Sequence, residues 1–222
     1  MRVQMVKTGV ANIASVAAAL TRLGADVELT SDAAVIRDGE AVVLPGVGSF
    51  GAGMEALRRD GLDAALVERI AAGRPTLAVC LGLQLLCASS EETAGVQGLD
   101  VLPADIVRLP DAPRLPHFGW NRVLTSDTAE SADALLEEGD AYFAHTFCLR
   151  DAERIESEGW RVARTVEGSE FVSAVERGAV LACQFHPELS GAYGAALLGR
   201  WLKRAADQAT ASCSTENGGQ SW

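Results

Sequence analysis

Basic residues are scarce in this chain. Nineteen lysines and arginines stand against 30 aspartates and glutamates over 222 residues, a formal charge of −11. With no cationic excess to neutralise phosphates, the composition argues against nucleic-acid binding. Cysteines number five (Cys80, Cys87, Cys148, Cys183 and Cys213), an odd count with no CxxC pair. That argues against a disulfide framework or a zinc site and reads as reduced thiols in a cytoplasmic protein. The three histidines lie far apart and lack ligand spacing, so no metal is expected. Apolar runs are too short to span a bilayer, and the opening Met1–Lys7 reads as a strand rather than a signal peptide. No internal repeat appears. What is present is ordinary for a globular protein, 48% hydrophobic and 22% charged residues, with length enough for a substantial core.

In chain order, Arg2 to Val6 reads as a strand and Ile13 to Leu23 as a helix, with Ile13, Val16, Ala17, Leu20 and Leu23 at helical spacing and Gly24 placed to end it. Strands follow at Asp26 to Thr30 and Ala41 to Leu44, then one helix from Ala52 to Ala72. This alternation points to a parallel α/β sheet. A strand at Thr76 to Cys80 runs into a helix expected to reach about Ser89. From Gly95 to Trp120 four prolines suggest short strands and turns. Ala141 to Thr146 alternates as a strand. Arg161 to Thr165, Phe171 to Glu176 and Val180 to Phe185 read as an antiparallel meander divided at Glu167-Gly168 and Arg177-Gly178. Tyr193 to Arg204 closes with a helix. Residues 1–204 are read as one domain, and 205–222 as a disordered tail.

Three stretches carry chemistry. In Thr76-Leu77-Ala78-Val79-Cys80-Leu81-Gly82-Leu83-Gln84, a buried strand turns sharply into a helix at a cysteine, with small Ala78 and Gly82 two residues to either side. Such an elbow exposes a nucleophile at a sheet edge, beside free N–H groups and the positive end of a helix dipole. In Gln184-Phe185-His186-Pro187-Glu188, a strand ends at a histidine with a carboxylate two residues on, which suits a base and its orienting group. Pro45-Gly46-Val47-Gly48 follows a strand but lacks the GKS/T ending of a P-loop and the GxGxxG spacing of a dinucleotide loop; its N–H groups suit an oxyanion, and no cofactor is expected for the chain. Each stretch also has a plain structural reading: a small buried thiol, a solvated polar turn, a structural loop.

Taken together, and in this order, the three stretches resemble the class I (triad) glutamine amidotransferases. The resemblance runs from about residue 3 to about residue 203. It implies a three-layer α/β fold, with a mainly parallel central sheet flanked by helices and an additional antiparallel segment. It also implies Cys80 as nucleophile, His186 as acid/base, Glu188 as its orienter, and backbone N–H groups of Val47 and Leu81 at the oxyanion. Gly46, Gly48 and Gln84 match glutamine-binding positions, with Glu92, His145, Thr146 and Phe147 as further contributors. Thr8 to Val16, Pro116-His117-Phe118-Gly119-Trp120-Asn121, Tyr142 to Thr146 and His186 to Gly191 resemble one subfamily, the glutaminase subunits of imidazole glycerol phosphate synthase. Related glutaminases serving anthranilate or guanylate synthases usually lack the Pro-His-x-Gly-Trp-Asn stretch; a non-catalytic binding subunit is the other alternative. The resemblance implies a (β/α)8-barrel cyclase as partner in a heterodimer, with Trp120 and Asn12 at the interface. Three positions depart from the family pattern: Val79 replaces a glycine, Lys7 an aspartate and Leu189 a basic residue.

Overall fold

The computed structural model describes residues 1–7, 13–125 and 134–216, with side chains as far as 211. Asn12, expected at an interface, lies outside the described residues. Strand β1 (Arg2–Val6) leads into α1 (Ile13–Arg22), which buries Val16, Ala19 and Leu20. β2 (Asp26–Thr30) is followed by α2 (Ala33–Asp38), started by the Asp32 carboxylate, which accepts from the Ala34 and Val35 N–H groups. β3 (Ala41–Gly46) precedes α3 (Phe50–Arg59) and α4 (Leu62–Ala71). The single helix expected from Ala52 to Ala72 is therefore two. The break falls at Gly61, whose left-handed φ of 65° no helix interior accommodates.

β4 (Thr76–Cys80) runs straight into α5 (Leu81–Leu85). This helix is shorter than the sequence suggested, because Cys87–Ser90 forms β5 and pairs with β6 (Leu102–Arg108). Pairing with a distant strand overrides the local helical pattern. Then come β7 (His117–Thr125), β8 (Gly139–His145), β9 (Phe147–Leu149), α6 (Ala152–Ser157), β10 (Arg161–Glu167), β11 (Ser169–Arg177) and β12 (Val180–Cys183). A 3₁₀ turn at Pro187–Leu189 leads to α7 (Gly191–Glu216). The segment expected to be disordered from Ala205 is thus helical through Glu216. Ala205 itself is fully buried, so packing continues past the last residue that the apolar pattern had marked.

Among the described residues all twelve strands belong to one sheet, whose main path runs β2-β1-β3-β4-β12-β11-β10-β7-β8, with β5, β6 and β9 branching from it. The first five strands of that path are parallel and the remainder antiparallel. Buried strands alternate between two cores. Val42, Leu44 and Ala78 face Phe50, Met54, Leu57, Leu66 and Ile70, whereas Val43, Leu77 and Val79 face Leu20, Leu197, Leu198 and Trp201. The result is a sheet covered on both faces, as parallel strands require. At the amino ends of the strands, buried Arg69 donates to the carbonyls of Ile36 (3.0 Å), Gly39 (2.8 Å) and Pro75 (2.8 Å), tying α4 to the loops around α2 and β4. Among the described residues no helix is long and apolar enough to cross a membrane.

Candidate active site

The three chemically suggestive stretches leave the sheet at the carboxyl ends of β3, β4 and β12, which lie side by side. Gly46 is in register with Cys80, and Val79 with Cys183. Crevices beyond the carboxyl ends of adjacent parallel strands are where α/β sheets bind ligands. Cys80 takes φ 55° and ψ −108°, an unfavourable backbone for a non-glycine residue and the mark of a nucleophile elbow. Small neighbours make the turn possible. A Cβ on Gly82 would collide with the Leu44 carbonyl, and one on Gly46 would lie 2.7 Å from the Gly82 nitrogen. Val79, where the family pattern has glycine, is still a strand residue, and its β-branched side chain is buried in the core beside α7.

Cys80 and His186 are each 7% exposed. The imidazole Nδ1 lies 2.9 Å from Glu188 Oε1, and the Glu188 side chain is itself buried. Burial pulls the His186 pKa down, but hydrogen bonds with Cys80 and Glu188 more than offset it, and the ring is raised to about 10. With Nδ1 held by the carboxylate, Nε2 is the nitrogen left for the sulfur. The backbone around His186 is bolted to β8. His186 N–H donates to the Tyr142 carbonyl (2.9 Å), and Ser190 Oγ donates to the His186 carbonyl (2.6 Å) while accepting from Tyr142 N–H (2.9 Å). Burial pushes the thiols of Cys87, Cys148 and Cys183 up, which leaves them unreactive at neutral pH.

The remaining candidates divide. Val47 is half-buried and Gly48 exposed with φ 104°, so the Gly46–Gly48 loop borders the cysteine and faces outward. Leu81, the first helical residue after Cys80, is buried. Glu92 reaches back to this loop region, with Oε2 accepting from Phe50 N–H at 2.6 Å, so one carboxylate oxygen starts α3. Gln84 Nε2 donates to the Phe147 carbonyl (2.9 Å) and to Gln184 Oε1 (3.0 Å). Thr146 joins β8 to β9, and its carbonyl accepts from Leu109 N–H (3.0 Å). His145 turns inward instead. Its Nδ1 meets the Phe147 carbonyl at 3.0 Å and its Nε2 meets His117 Nδ1 at 3.1 Å, so both ring nitrogens are taken. Burial pushes His145 down to about 3 and also lowers His117, so both rings are neutral.

Two further residues, one bonded to Cys80 and one to His145, are not among the candidates the sequence offers. Gln184 is fully buried, and its Nε2 donates to Cys80 Sγ at 3.6 Å. It stands two residues before His186, and the period of two that puts alternate strand residues on one face was the available signal. His117 is buried under Phe143, with ring centroids 4.9 Å apart. The outward face of β7 carries Phe118 and Trp120, 66% and 59% exposed. Trp120 reaches over the start of α7, within 3.6 Å of where a Cβ on Gly191 would stand, and Leu189 is exposed on the turn just before it. This apolar surface adjoins the cysteine, histidine and carboxylate cluster.

A family model described as glutamine amidotransferase class-I matches residues 5–204. Curated relatives described as imidazole glycerol phosphate synthase subunit HisH match most of the chain. The protein from Methanothermobacter thermautotrophicus is 36% identical over 90% of this chain and 98% of its own length. The one from Symbiobacterium thermophilum is 38% identical over 93% and 95%, and the one from Mycobacterium bovis 40% identical over 87% and 93%. Among solved structures, a glutamine amidotransferase superposes with a TM-score of 0.70 at 22% identity, covering 91% of this chain and 98% of the other. PurLQS from Thermotoga maritima superposes with a TM-score of 0.65 at 16% identity, covering 93% and 98%. At those identities the structural matches speak for the fold alone.

Proposed function

The chain belongs to the class-I glutamine amidotransferase family, and from that premise we infer that it is the glutaminase subunit of an imidazole glycerol phosphate synthase. The observation that carries this reading is the meeting of Cys80, His186 and Glu188 at neighbouring strand ends, in a chain 36% identical to a HisH protein over 98% of that protein's length. The Cys80 sulfur attacks the side-chain amide carbon of glutamine. Backbone N–H groups of Val47 and Leu81 hold the tetrahedral oxyanion, where fixed donors lower the barrier most. His186 gives its proton to the departing ammonia, and a γ-glutamyl thioester remains on Cys80. His186 then takes a proton from water as that water attacks the thioester, and glutamate leaves. Glu188 keeps the imidazole oriented and stabilises its protonated form.

Gly46, Gly48, Gln84, Glu92, Thr146 and Phe147 border the space where glutamine would lie. His145 supports that wall from behind, since its ring is committed to His117 and Phe147. Ammonia must reach its acceptor unprotonated, because ammonium has no lone pair to attack with. A partner that receives it directly meets that need, and we take the partner to be a (β/α)8-barrel cyclase forming a heterodimer with this chain. The exposed Trp120, Phe118 and Leu189 support docking beside the triad, a large aromatic being a good interface anchor. The near-closed cysteine and histidine suit a site that opens only on docking. Free Cys80, Cys87, Cys148 and Cys183 suit a reducing compartment, so we place the complex in the cytoplasm.

The test is glutamine hydrolysis with and without a barrel cyclase. Turnover should rise on adding the cyclase and its ligand, and C80A should abolish it. Stimulation by the synthase of another pathway, and not by the cyclase, would reject the assignment.

A further inference from the structure

One run of hydrogen bonds joins the strand beneath the exposed aromatic surface to the nucleophile. On β7 the even residues Phe118 and Trp120 face outward, while His117 and Asn121 face inward. Donor and acceptor roles along the run are fixed by chemistry. The Phe147 carbonyl only accepts, so His145 Nδ1 carries the hydrogen there (3.0 Å). In a neutral ring that makes His145 Nε2 an acceptor, and His117 Nδ1 must donate to it (3.1 Å). His117 Nε2 is then an acceptor facing Asn121 Nδ2 at 3.4 Å, with Glu167 Oε2 3.7 Å away. From the other side, Gln84 Nε2 gives one hydrogen to the same Phe147 carbonyl (2.9 Å) and the other to Gln184 Oε1 (3.0 Å). That fixes the Gln184 amide so that its Nε2 points at Cys80 Sγ (3.6 Å).

We propose that His117 and His145 are positioning residues, which hold the Cys80 sulfur through the Phe147 carbonyl, Gln84 and Gln184 and so link its placement to strand β7. The proposal rests on the reading of Cys80 as nucleophile and goes beyond it by assigning work to a buried pair that touches neither the sulfur nor glutamine. His117, His145, Gln84, Gln184 and Cys80 are each 7% exposed or less, and Phe147 is half-buried, so water is a poor substitute for a broken bond between them. The sulfur receives a directed N–H from Gln184 on one side and faces His186 on the other. Losing the upstream bonds frees the Gln184 amide to turn and lets the sulfur wander from its line of attack. A partner that shifts β7 by pressing on Trp120 reaches the sulfur by the same bonds.

The test compares H117F with H117N. Phenylalanine keeps the stack on Phe143 and the packing against Phe171 but removes the donor. Asparagine places an amide N–H near the position of Nδ1 and restores it. Two readouts are taken on the full chain. One is the rate of iodoacetamide alkylation of the Cys80 peptide as a function of pH, followed by mass spectrometry. The other is kcat and KM for glutamine in the presence of the cyclase. H117F should lower the alkylation rate and kcat about tenfold, the loss expected for one buried hydrogen bond, and leave KM within about twofold. H117N should stay within about threefold of the unaltered chain. Unchanged alkylation and kcat in H117F would overturn the proposal. So would equal losses in H117F and H117N accompanied by equal falls in melting temperature, since packing alone would then explain them. Alkylation needs no glutamine, so a C80A chain that still hydrolysed glutamine would sink the reading of Cys80 as nucleophile, while the coupling of His117 to the sulfur is measured separately by alkylation.

Discussion

Replacing Glu188 by glutamine isolates one quantity, the negative charge that faces His186. Glu188 Oε1 lies 2.9 Å from Nδ1, with the two side chains 1% and 8% exposed. The isostere still presents an oxygen to Nδ1–H, so the tautomer survives and the charge does not. A hydrogen bond to a charged group contributes about 1.5–3 kcal/mol. Since about 1.4 kcal/mol moves a titration midpoint by one pH unit, E188Q should lower the His186 midpoint by about one to two pH units. The starting position is a ring raised from 6.5 to about 10. Imidazole NMR can follow this directly, because the chain has only three histidines and burial holds the other two neutral. Stability gives an independent check with a definite sign. A folded-state pKa above the unfolded one stabilises the fold fully below about 6.5, and that contribution is lost as pH rises through about 10. The difference in urea stability between the unaltered chain and E188Q should therefore be largest near pH 6 and shrink toward pH 10. A midpoint that does not move, or a stability difference that widens with pH, would refute the ion-pair argument.

Other substitutions probe the remaining parts of the account. G82A should destabilise the chain by about 2 kcal/mol or more, because the new methyl meets the Leu44 carbonyl inside a packed elbow; denaturant titration reads this, and loss of alkylation at Cys80 should accompany it. R69M strands the carbonyls of Ile36, Gly39 and Pro75 away from water and should lower stability by about 3 kcal/mol, measured the same way. W120A should leave stability within about 0.5 kcal/mol, the ring being 59% exposed. Its affinity for the cyclase, read by calorimetry, should nonetheless fall by about 2 kcal/mol or more.

The parallel half of the sheet was legible because each strand is a short apolar run followed by a helix with its own periodicity, as at Ala41 and Thr76. The grouping of Cys80, His186 and Glu188 was legible because Cys80 ends β4 and the His186–Glu188 turn follows β12, so a local sequence signal and a fixed place beside the sheet coincide. Less visible were features decided at long range. Nothing local at Cys87–Ser90 announces a strand, because its partner lies at Leu102–Arg108. The polar composition past Ala205 suits a tail, yet Gln208 Nε2 donates to the Gly73 carbonyl at 3.1 Å and Ala205 is buried. The motif around His145 points to the glutamine pocket. Only the pairing of β7 with β8, which sets His117 opposite it, reveals that its ring turns to the core. The break at Gly61 was the exception, a local signal that the long apolar pattern of Ala52 to Ala72 obscured.

A covalent intermediate on one sulfur is the centre of the account. Rapid acid quench of the chain turning over glutamine beside the cyclase, followed by peptide mass spectrometry, looks for it directly. A single γ-glutamyl adduct should form on the peptide bearing Cys80, accumulate before steady state and be absent from C80A. Glutamate released at full rate with no adduct on that peptide, or with the adduct on another cysteine, would contradict it.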